Sequence, residues 1–457
     1  MVTVRWELEL PYPQATIFDW YESVGSFNRL MPPWEISEVV HADNTLENGA
    51  QRIFRFPFGP IKMKWVAEHL NYDPPNKFED VMIKGPFRSW HHSHQFKEIE
   101  NGTLQIDEVT YKLPLGFLGK LVAGRDVRNR LNRMFKARQL RLMRDMEQHS
   151  KFSHIPRKRI LIAGSSGLIG TQLVAFLDTG GHDVWRLVRR PAIDGKKELS
   201  WDPDTGELEP SMLEGFDVII HLGGAGIGDK RWNKKRKALI VESRRKSTTL
   251  LSDTMAKLDS KPEAFIVASA IGYYGNRGDE ELSEESGPGS GFLTDTTIDW
   301  EGYSDSAREA GIRVVNLRNG IVLSATGGAL GRMLLPWKMG AGGPLAGGRQ
   351  WMSWISLDDE IYAIHHLMMN VECSGAYNLT APNPVRQKVF SKSLGKVLRR
   401  PAFAPIPGFM MKILFGELAG PLLIQGQKVL PNRLIDSGFE FTHSHVEDAL
   451  RDVLGRW

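Results

Sequence analysis

Arg159–Gly170 reads Arg-Ile-Leu-Ile-Ala-Gly-Ser-Ser-Gly-Leu-Ile-Gly, with glycines at Gly164, Gly167 and Gly170. The apolar run Ile160–Ala163 has the length and branching of a strand buried on both faces. Leu173, Val174, Phe176 and Leu177 then recur at helical spacing, and Gly180-Gly181 offers a left-handed C-cap. Strand, glycine turn and helix in this order bring orphan backbone N–H groups and the positive end of a helix to one point, which suits a pyrophosphate. The residues expected to line this cradle are Gly164, Ser165, Gly167, Leu168, Ile169 and Gly170.

The second strand of such a unit is Asp183–Val188. A site for NAD usually places an acidic residue near the end of that strand, where it binds the ribose hydroxyls. Arg189 and Arg190 stand there instead. Two guanidinium groups suit a 2′-phosphate and leave the diol without its acceptor, so the sequence predicts NADP as cofactor. Later apolar runs at Phe216–Leu222, Ala264–Ser269 and Arg313–Leu317 alternate with helical segments. This alternation predicts a doubly wound parallel sheet. After one of these strands comes His221-Leu222-Gly223-Gly224-Ala225, whose small residues let a cofactor pass close to backbone.

With 457 residues the chain has room for two or three domains. Its 25% charged and 41% hydrophobic residues are those of a soluble globular protein. A net charge of +4 is small for this length and gives no ground for a nucleic-acid partner. The basic clusters at Arg125–Arg144 and Lys230–Lys246 fall in helical patterns and read as solvated faces. Cys373 is the only cysteine, which excludes intrachain disulfides and thiolate-rich metal sites. The amino terminus lacks a secretory apolar core. Phe409–Ile424, with Lys412 and Glu417 inside it, is too short to span a bilayer, so a cytoplasmic location is expected.

Residues 1–150 follow a different rhythm. Val4, Trp6, Leu8 and Leu10 alternate with charged residues as in a half-buried strand. A short helix is expected around Ala15–Tyr21. Strands follow over Ile36–His41, Gln51–Phe58, Ile61–Leu70, Lys77–Lys84, Ser89–Ile99 and Leu104–Leu113, with a hairpin turn at Asn101-Gly102. A long helix from Leu118 to Gln148 closes the segment, with Leu131, Phe135, Leu142 and Met146 along one face. This order resembles the START-like, polyketide-cyclase helix-grip superfamily. The resemblance implies an apolar cavity and a lipid-like or polycyclic ligand, although Trp65, Trp90, Phe54, Phe56 and Phe58 equally suit a plain core. His92 and His94 fall on one side of a strand, but no third ligand stands at a recognisable spacing, so no metal is expected.

From residue 157 onward a second resemblance emerges. The glycine motif, Asp217…His221-Leu222-Gly223-Gly224, Ser269…Tyr273-Tyr274-Gly275 and Trp354-Ile355-Ser356-Leu357-Asp358-Asp359 resemble the extended short-chain dehydrogenase/reductases. Gly342-Gly343-Pro344-Leu345, Gly348-Arg349-Gln350-Trp351-Met352-Ser353-Trp354 and the tail Gln425-Gly426-Gln427-Lys428-Val429-Leu430-Pro431 narrow this to an NADP-binding, epimerase-like subfamily. The resemblance implies cofactor contacts from Arg189, Arg190, Leu222, Gly223 and Arg244.

The family's usual acid–base pair is missing. Members use a tyrosine and a lysine four residues later, which lowers the phenol's pKa. None of the nine tyrosines here has lysine at that offset. Leu293 and Thr297 align with the pair, and Ala270 takes the place of the usual hydroxyl, with Ser269 just before it. Substitute candidates are Tyr273 and Tyr274, with Arg277 as the group that would lower a phenol's pKa, and Ser269.

The sequence therefore predicts an α/β protein in three parts. Residues 1–150 form an α+β helix-grip domain for an apolar ligand. Residues 157–384 form an NADP-binding Rossmann domain, and 385–457 a small, mostly helical substrate cap. Ser324–Gln350 reads as a long glycine-rich loop, and Ser356 with Asp359 as the capped start of a helix. The expected activity is oxidoreductase- or epimerase-like, on a small carbonyl or nucleotide-sugar-like substrate. The alternatives are a regulatory protein that senses NADP(H) without turnover and a carrier of an apolar ligand. Nothing in the residues points to an oligomeric state.

Overall fold

The computed structural model describes residues 1–35, 38–58, 61–114 and 116–457. The chain divides into two compact units, Met1–His154 with Ala175–Gly181 and Ile155–Val174 with His182–Trp457.

In the first unit β1 (Val2–Leu10), α1 (Gln14–Glu22) and α2 (Ser26–Leu30) precede β2 (Glu38–Ala42), β3 (Gln51–Phe58) and β4 (Ile61–Asp73). Then come β5 (Lys77–Lys84), β6 (Ser89–Ile99), β7 (Gly102–Lys112) and the long α3 (Gly116–Ser150). Ile36 and Ser37, the start of the strand expected at Ile36–His41, lie outside the described residues. The strands form one antiparallel sheet in the order β1-β7-β6-β5-β4-β3-β2. Alternation puts one side chain in two on the covered face. Helix α3 lies across that face through Leu131, Phe135, Leu142 and Met146, all buried. Trp6 stacks on Phe135 with ring centroids 3.9 Å apart, fixing α3 against β1. Arg138, which interrupts the apolar stripe, donates Nε to the Leu30 carbonyl and lies against the Phe135 ring. Helix α2, not anticipated from the sequence, carries Arg29, which makes a fully buried two-bond pair with Asp145 of α3 at 2.6 and 2.8 Å.

The second unit is built on seven parallel strands. They are β8 (Arg159–Ala163), β9 (Asp183–Val188), β10 (Glu198–Ser200), β11 (Val218–His221), β12 (Ala264–Ala270), β13 (Arg313–Asn319) and β14 (Gly375–Leu379). Their spatial order is β10-β9-β8-β11-β12-β13-β14, so the order reverses between β8 and β11. Such a reversal opens a crevice at the carboxyl ends of the two central strands. The central strands β8 and β11 are apolar apart from Arg159 at the start of one and His221 at the end of the other, as parallel strands covered on both faces should be. The edge strands β10 and β14 have no such run, and the sequence did not reveal them.

Helices α4 (Leu168–Thr179), α5 (Lys234–Ala256) and α6 (Phe292–Gly302) are connected to this sheet, and Gly181 beyond α4 has the left-handed φ of +80° expected of a C-cap residue. The expected glycine-rich loop is not all loop, because Gly328–Lys338 folds as a helix. Helix α7 (Leu357–Met369) begins at its expected cap: Ser356 Oγ accepts from the Asp359 N–H at 3.1 Å. The C-terminal stretch contributes α8 (Gln387–Leu398), α9 (Gly408–Phe415) and α10 (Val446–Val453). Among the described residues no helix is long and apolar enough to cross a membrane.

Candidate functional site

The glycine turn closes on the strand beside it. Gly164 has φ +82°, and a Cβ there would lie 2.7 Å from the Gly223 nitrogen and the Leu222 carbonyl carbon. A Cβ on Gly170 would lie 2.3 Å from the Gly164 oxygen. Only hydrogen fits at either position, so the turn after β8 passes directly beside the turn after β11 and α4 starts close beneath both. Gly167 donates to the Gly164 carbonyl at 3.1 Å, closing a tight turn with Ser165 inside it and Leu168 and Ile169 opening the helix.

At the end of β9 the two arginines part company. Arg190 forms a two-bond pair with Glu198, Nη1 to Oε2 at 2.8 Å and Nη2 to Oε1 at 2.7 Å. That pairing, against the effect of burial, holds the Glu198 carboxyl down at about 2. Arg190 also donates to the Pro191 carbonyl, so its guanidinium braces the β9–β10 connection. Arg189 is exposed and has no hydrogen-bond or ion-pair partner among the described residues.

At the end of β11, His221 is buried and shares a 2.9 Å hydrogen bond with Ser247 of α5. Burial, with Arg244 nearby, pushes the imidazole down to about 3, so it is neutral at physiological pH. Gly224 lies against the Arg244 guanidinium: a Cβ there would be 3.3 Å from Cζ. Arg244, only 5% exposed, donates Nη1 to the Ala225 and Ile240 carbonyls and rests over the Trp300 ring at 4.4 Å. It has no carboxylate partner among the described residues, and its Nε has no hydrogen bond. Burial, then repulsion from Arg236, brings it down to about 10. A buried, unneutralised cation at the rim of the crevice is a place where an anionic or polyhydroxyl ligand is favoured.

The third part lies after β12. Ser269 Oγ donates to Glu301 at 2.6 Å, and Arg318 binds the same carboxylate through Nε at 2.8 Å and Nη2 at 2.9 Å. Arg318 Nη1 also donates to the Tyr274 oxygen at 3.0 Å, and Tyr274 donates to Asn378 at 2.7 Å. Tyr274 is fully buried, and burial raises its phenol to about 12 even with Arg318 beside it. Tyr273 is half-buried, with Arg318 Cζ 3.5 Å from its ring centroid. Arg277 instead pairs with Glu280 and donates to the Gly287 carbonyl. Leu293 and Thr297 face the turn that follows β12: a Cβ on Gly272 would meet Leu293 Cβ at 3.3 Å and Thr297 Oγ1 at 3.6 Å. Thr297 gives its hydrogen to the Leu293 carbonyl. Arg318, Glu301 and Asn378 went unnoticed in the sequence because they lie on three elements without a shared motif.

The subsidiary markers act as a clasp. Ser353 Oγ donates to the Gln427 carbonyl at 2.8 Å and accepts from the Val429 N–H at 2.9 Å. Gly426 passes so near Trp351 that a Cβ would sit 2.2 Å from its carbonyl oxygen. Val429 then joins Ile271, Tyr274 and Leu282 in one apolar cluster, with Tyr273 against it, which connects the tail to the β12 turn.

Residues 10–135 match the family described as polyketide cyclase/dehydrase and lipid transport, 160–380 the NAD dependent epimerase/dehydratase family, and 406–453 a domain of unknown function. An epimerase family protein of Mycobacterium bovis is 40% identical over 291 residues, 64% of this chain and 96% of that one. The crystal structure of a nucleoside-diphosphate sugar epimerase from Corynebacterium glutamicum is similar at 31% identity and a TM-score of 0.80, covering 99% of this chain and 90% of its own. A human epimerase family protein, solved with NADPH, is 30% identical with a TM-score of 0.60, covering 65% of this chain and 100% of its own.

The expected preference for NADP is corrected. MoeE5 with UDP-glucose and a Bacillus cereus UDP-glucuronic acid 4-epimerase share the fold at TM-scores of 0.53 and 0.54, at 19% and 17% identity, and both were solved with NAD. The physical premise also fails here, since the inference needed two free guanidinium groups and Arg190 is occupied by Glu198.

Proposed function

Because the chain belongs to the NAD dependent epimerase/dehydratase family, we propose that residues 157–384 bind a nicotinamide dinucleotide across the crevice between β8 and β11. In this reading Gly164, Ser165, Gly167, Leu168, Ile169 and Gly170 hold the pyrophosphate. Leu222, Gly223 and Gly224 lie along the cofactor, Arg244 supplies charge at the rim, and the exposed Arg189 remains available to the adenosine end. The observation that carries it is the closure of Gly164 onto Leu222–Gly223, where a side chain would occupy the space of backbone.

The activity is oxidoreductase- or epimerase-like, and we place a carbonyl or carbinol carbon of a sugar- or nucleotide-linked substrate opposite the β12 turn. Bound there, the dinucleotide supplies the hydride chemistry at its nicotinamide ring. The chain must handle the accompanying proton. Tyr273 suits that task better than Tyr274, since its ring is half-buried under the Arg318 cation while the Tyr274 hydroxyl is committed to Asn378. Ser269 and Tyr274 serve as positioning residues that fix Arg318. Residues 385–457 form the substrate-side cap, and the domain of residues 1–150 takes a small apolar ligand. Binding without turnover is the second reading, favoured by Leu293 and Thr297 in place of the usual acid–base pair.

Fluorescence titration of the protein with NADH and with NADPH tests the assignment, read by energy transfer from tryptophan. Saturable binding of either, lost in Gly164→Val, is expected. Binding of neither, or equal binding by a folded Gly164→Val, overturns the dinucleotide site. Turnover of a sugar nucleotide or small carbonyl then separates the enzyme from the sensor.

A further inference from the structure

The helix-grip sheet carries a group of ligating side chains that the sequence did not join. Register aligns Asp80 of β5 with His92 of β6, and His94 of β6 with Asp107 of β7. His92 and His94 are two residues apart and share a face, the one covered by α3, where the His92 ring meets Phe135. His92 Nδ1 lies 3.1 Å from Asp80 Oδ2 and its Nε2 3.1 Å from Asp107 Oδ1. His94 Nδ1 lies 2.7 Å from Asp107 Oδ1 and its Nε2 3.8 Å from Asp80 Oδ2. Two imidazoles and two carboxylates thus alternate around a closed ring.

We propose that Asp80, His92 and His94 form a binding site for a divalent transition-metal ion, with Asp107 as its fourth ligand or as the carboxylate that orients a ligating imidazole. One donor atom from each of the first three lies within 4.8 Å of the others. Ligands on a tetrahedral ion at about 2.0 Å would be about 3.3 Å apart, so side-chain adjustments of about 1 Å close the site. Two imidazoles with one carboxylate is a donor set used for zinc and for non-haem iron. Charge argues in the same direction. His92, His94 and Asp107 are 3%, 6% and 3% exposed, and carboxylates gathered in such a place carry negative charge that burial penalises unless a cation meets it. A divalent cation held between the carboxylates supplies the opposing charge.

The surroundings are poor in competing partners. The His94 Nδ1 contact with Asp107 is close but out of line for a hydrogen bond. Gln105, two residues before Asp107 on the same face, is fully buried with neither amide atom hydrogen-bonded among the described residues. Polar atoms buried in this way normally have a partner. Among the described residues no lysine or arginine pairs with Asp80 or Asp107.

The test is equilibrium dialysis of the full chain against Co2+ and, separately, Zn2+, with bound metal measured by mass spectrometry and the Co2+ form by visible absorption. About one ion per chain is expected, with ligand-field bands for Co2+. His94→Gln and Asp80→Asn should each weaken binding by about tenfold or more. His91→Gln, on the opposite face of β6 and paired with Glu79, should leave binding unchanged. Where the first two variants do not fold, the wild-type Co2+ form decides, since paramagnetically shifted imidazole N–H signals from two histidines are required. Binding of neither ion, absence of those signals, or full binding by folded His94→Gln and Asp80→Asn overturns the site and leaves the ring as a proton-sharing network of the core.

Discussion

Ser269 gives its hydroxyl hydrogen to Glu301 at 2.6 Å, on the same carboxylate oxygen that Arg318 Nε grips at 2.8 Å. The Ser269 hydroxyl, one residue before Ala270, is therefore turned into an ion pair inside the protein. Arg318 and Glu301 have 6% and 16% of their side chains exposed.

That burial makes the pair costly to break from one side. Arg318→Met should lower stability by about 3 kcal/mol or more, because Glu301 is left with a buried charge and Tyr274 loses a donor. Ser269→Ala should cost about 1 kcal/mol. Urea unfolding followed by tryptophan fluorescence measures both, and equal losses would show that the ion pair does not hold the turn.

The two tyrosines should separate in kinetics. Tyr273→Phe should lower turnover of any substrate found by about a hundredfold or more while the midpoint of unfolding stays put. Tyr274→Phe should do the reverse, costing about 1 kcal/mol for its bonds to Asn378 and Arg318 with a smaller effect on rate. Rates for both variants equal to wild type would remove the phenols from the chemistry.

Arg190 should matter to the β9–β10 connection rather than to choice of cofactor. Arg190→Ala is expected to leave the ratio of NADPH to NADH affinity within about threefold, since its guanidinium is already paired with Glu198. A selective loss of NADPH binding by about tenfold would instead return Arg190 to a phosphate-binding role.

His443 should make stability fall with alkali. Burial lowers its pKa, but Asp359 and Asp452 on either side outweigh that and raise it from 6.5 to about 9. The charged imidazole therefore contributes fully below about pH 6.5, and its contribution is lost as pH rises through about 9, on the order of 3 kcal/mol in all. Unfolding midpoints measured across that range should decline in wild type and lie flat in His443→Gln. A wild-type profile as flat as the variant's would show that His443 is not charged in the fold.

Much of the site was legible because local pattern fixed it. The apolar run Ile160–Ala163 with Gly164 and Gly170 forces a strand and a tight turn whatever else the chain does, and Ser356 with Asp359 caps a helix within its own four residues. Glu198–Ser200 and Gly375–Leu379 were not legible, since three to five residues at a sheet edge carry too little apolar signal. The helix Gly328–Lys338 was hidden for another reason: its glycines and Pro336 argue locally against a helix that packing sustains.

The sequence alone therefore determined the order of the main elements, the antiparallel and parallel sheets, and the glycine turn that follows Arg159–Ala163, since each rests on periodicity or on glycine at a turn. The tertiary structure alone decided which charges meet. Arg190 was paired with Glu198 eight residues on, Arg318 rather than Arg277 was set against the tyrosines, and Asp80 and Asp107 were brought to His92 and His94. Side chains far apart in the chain have no fixed distance until strand register sets one, and electrostatic energy depends on that distance.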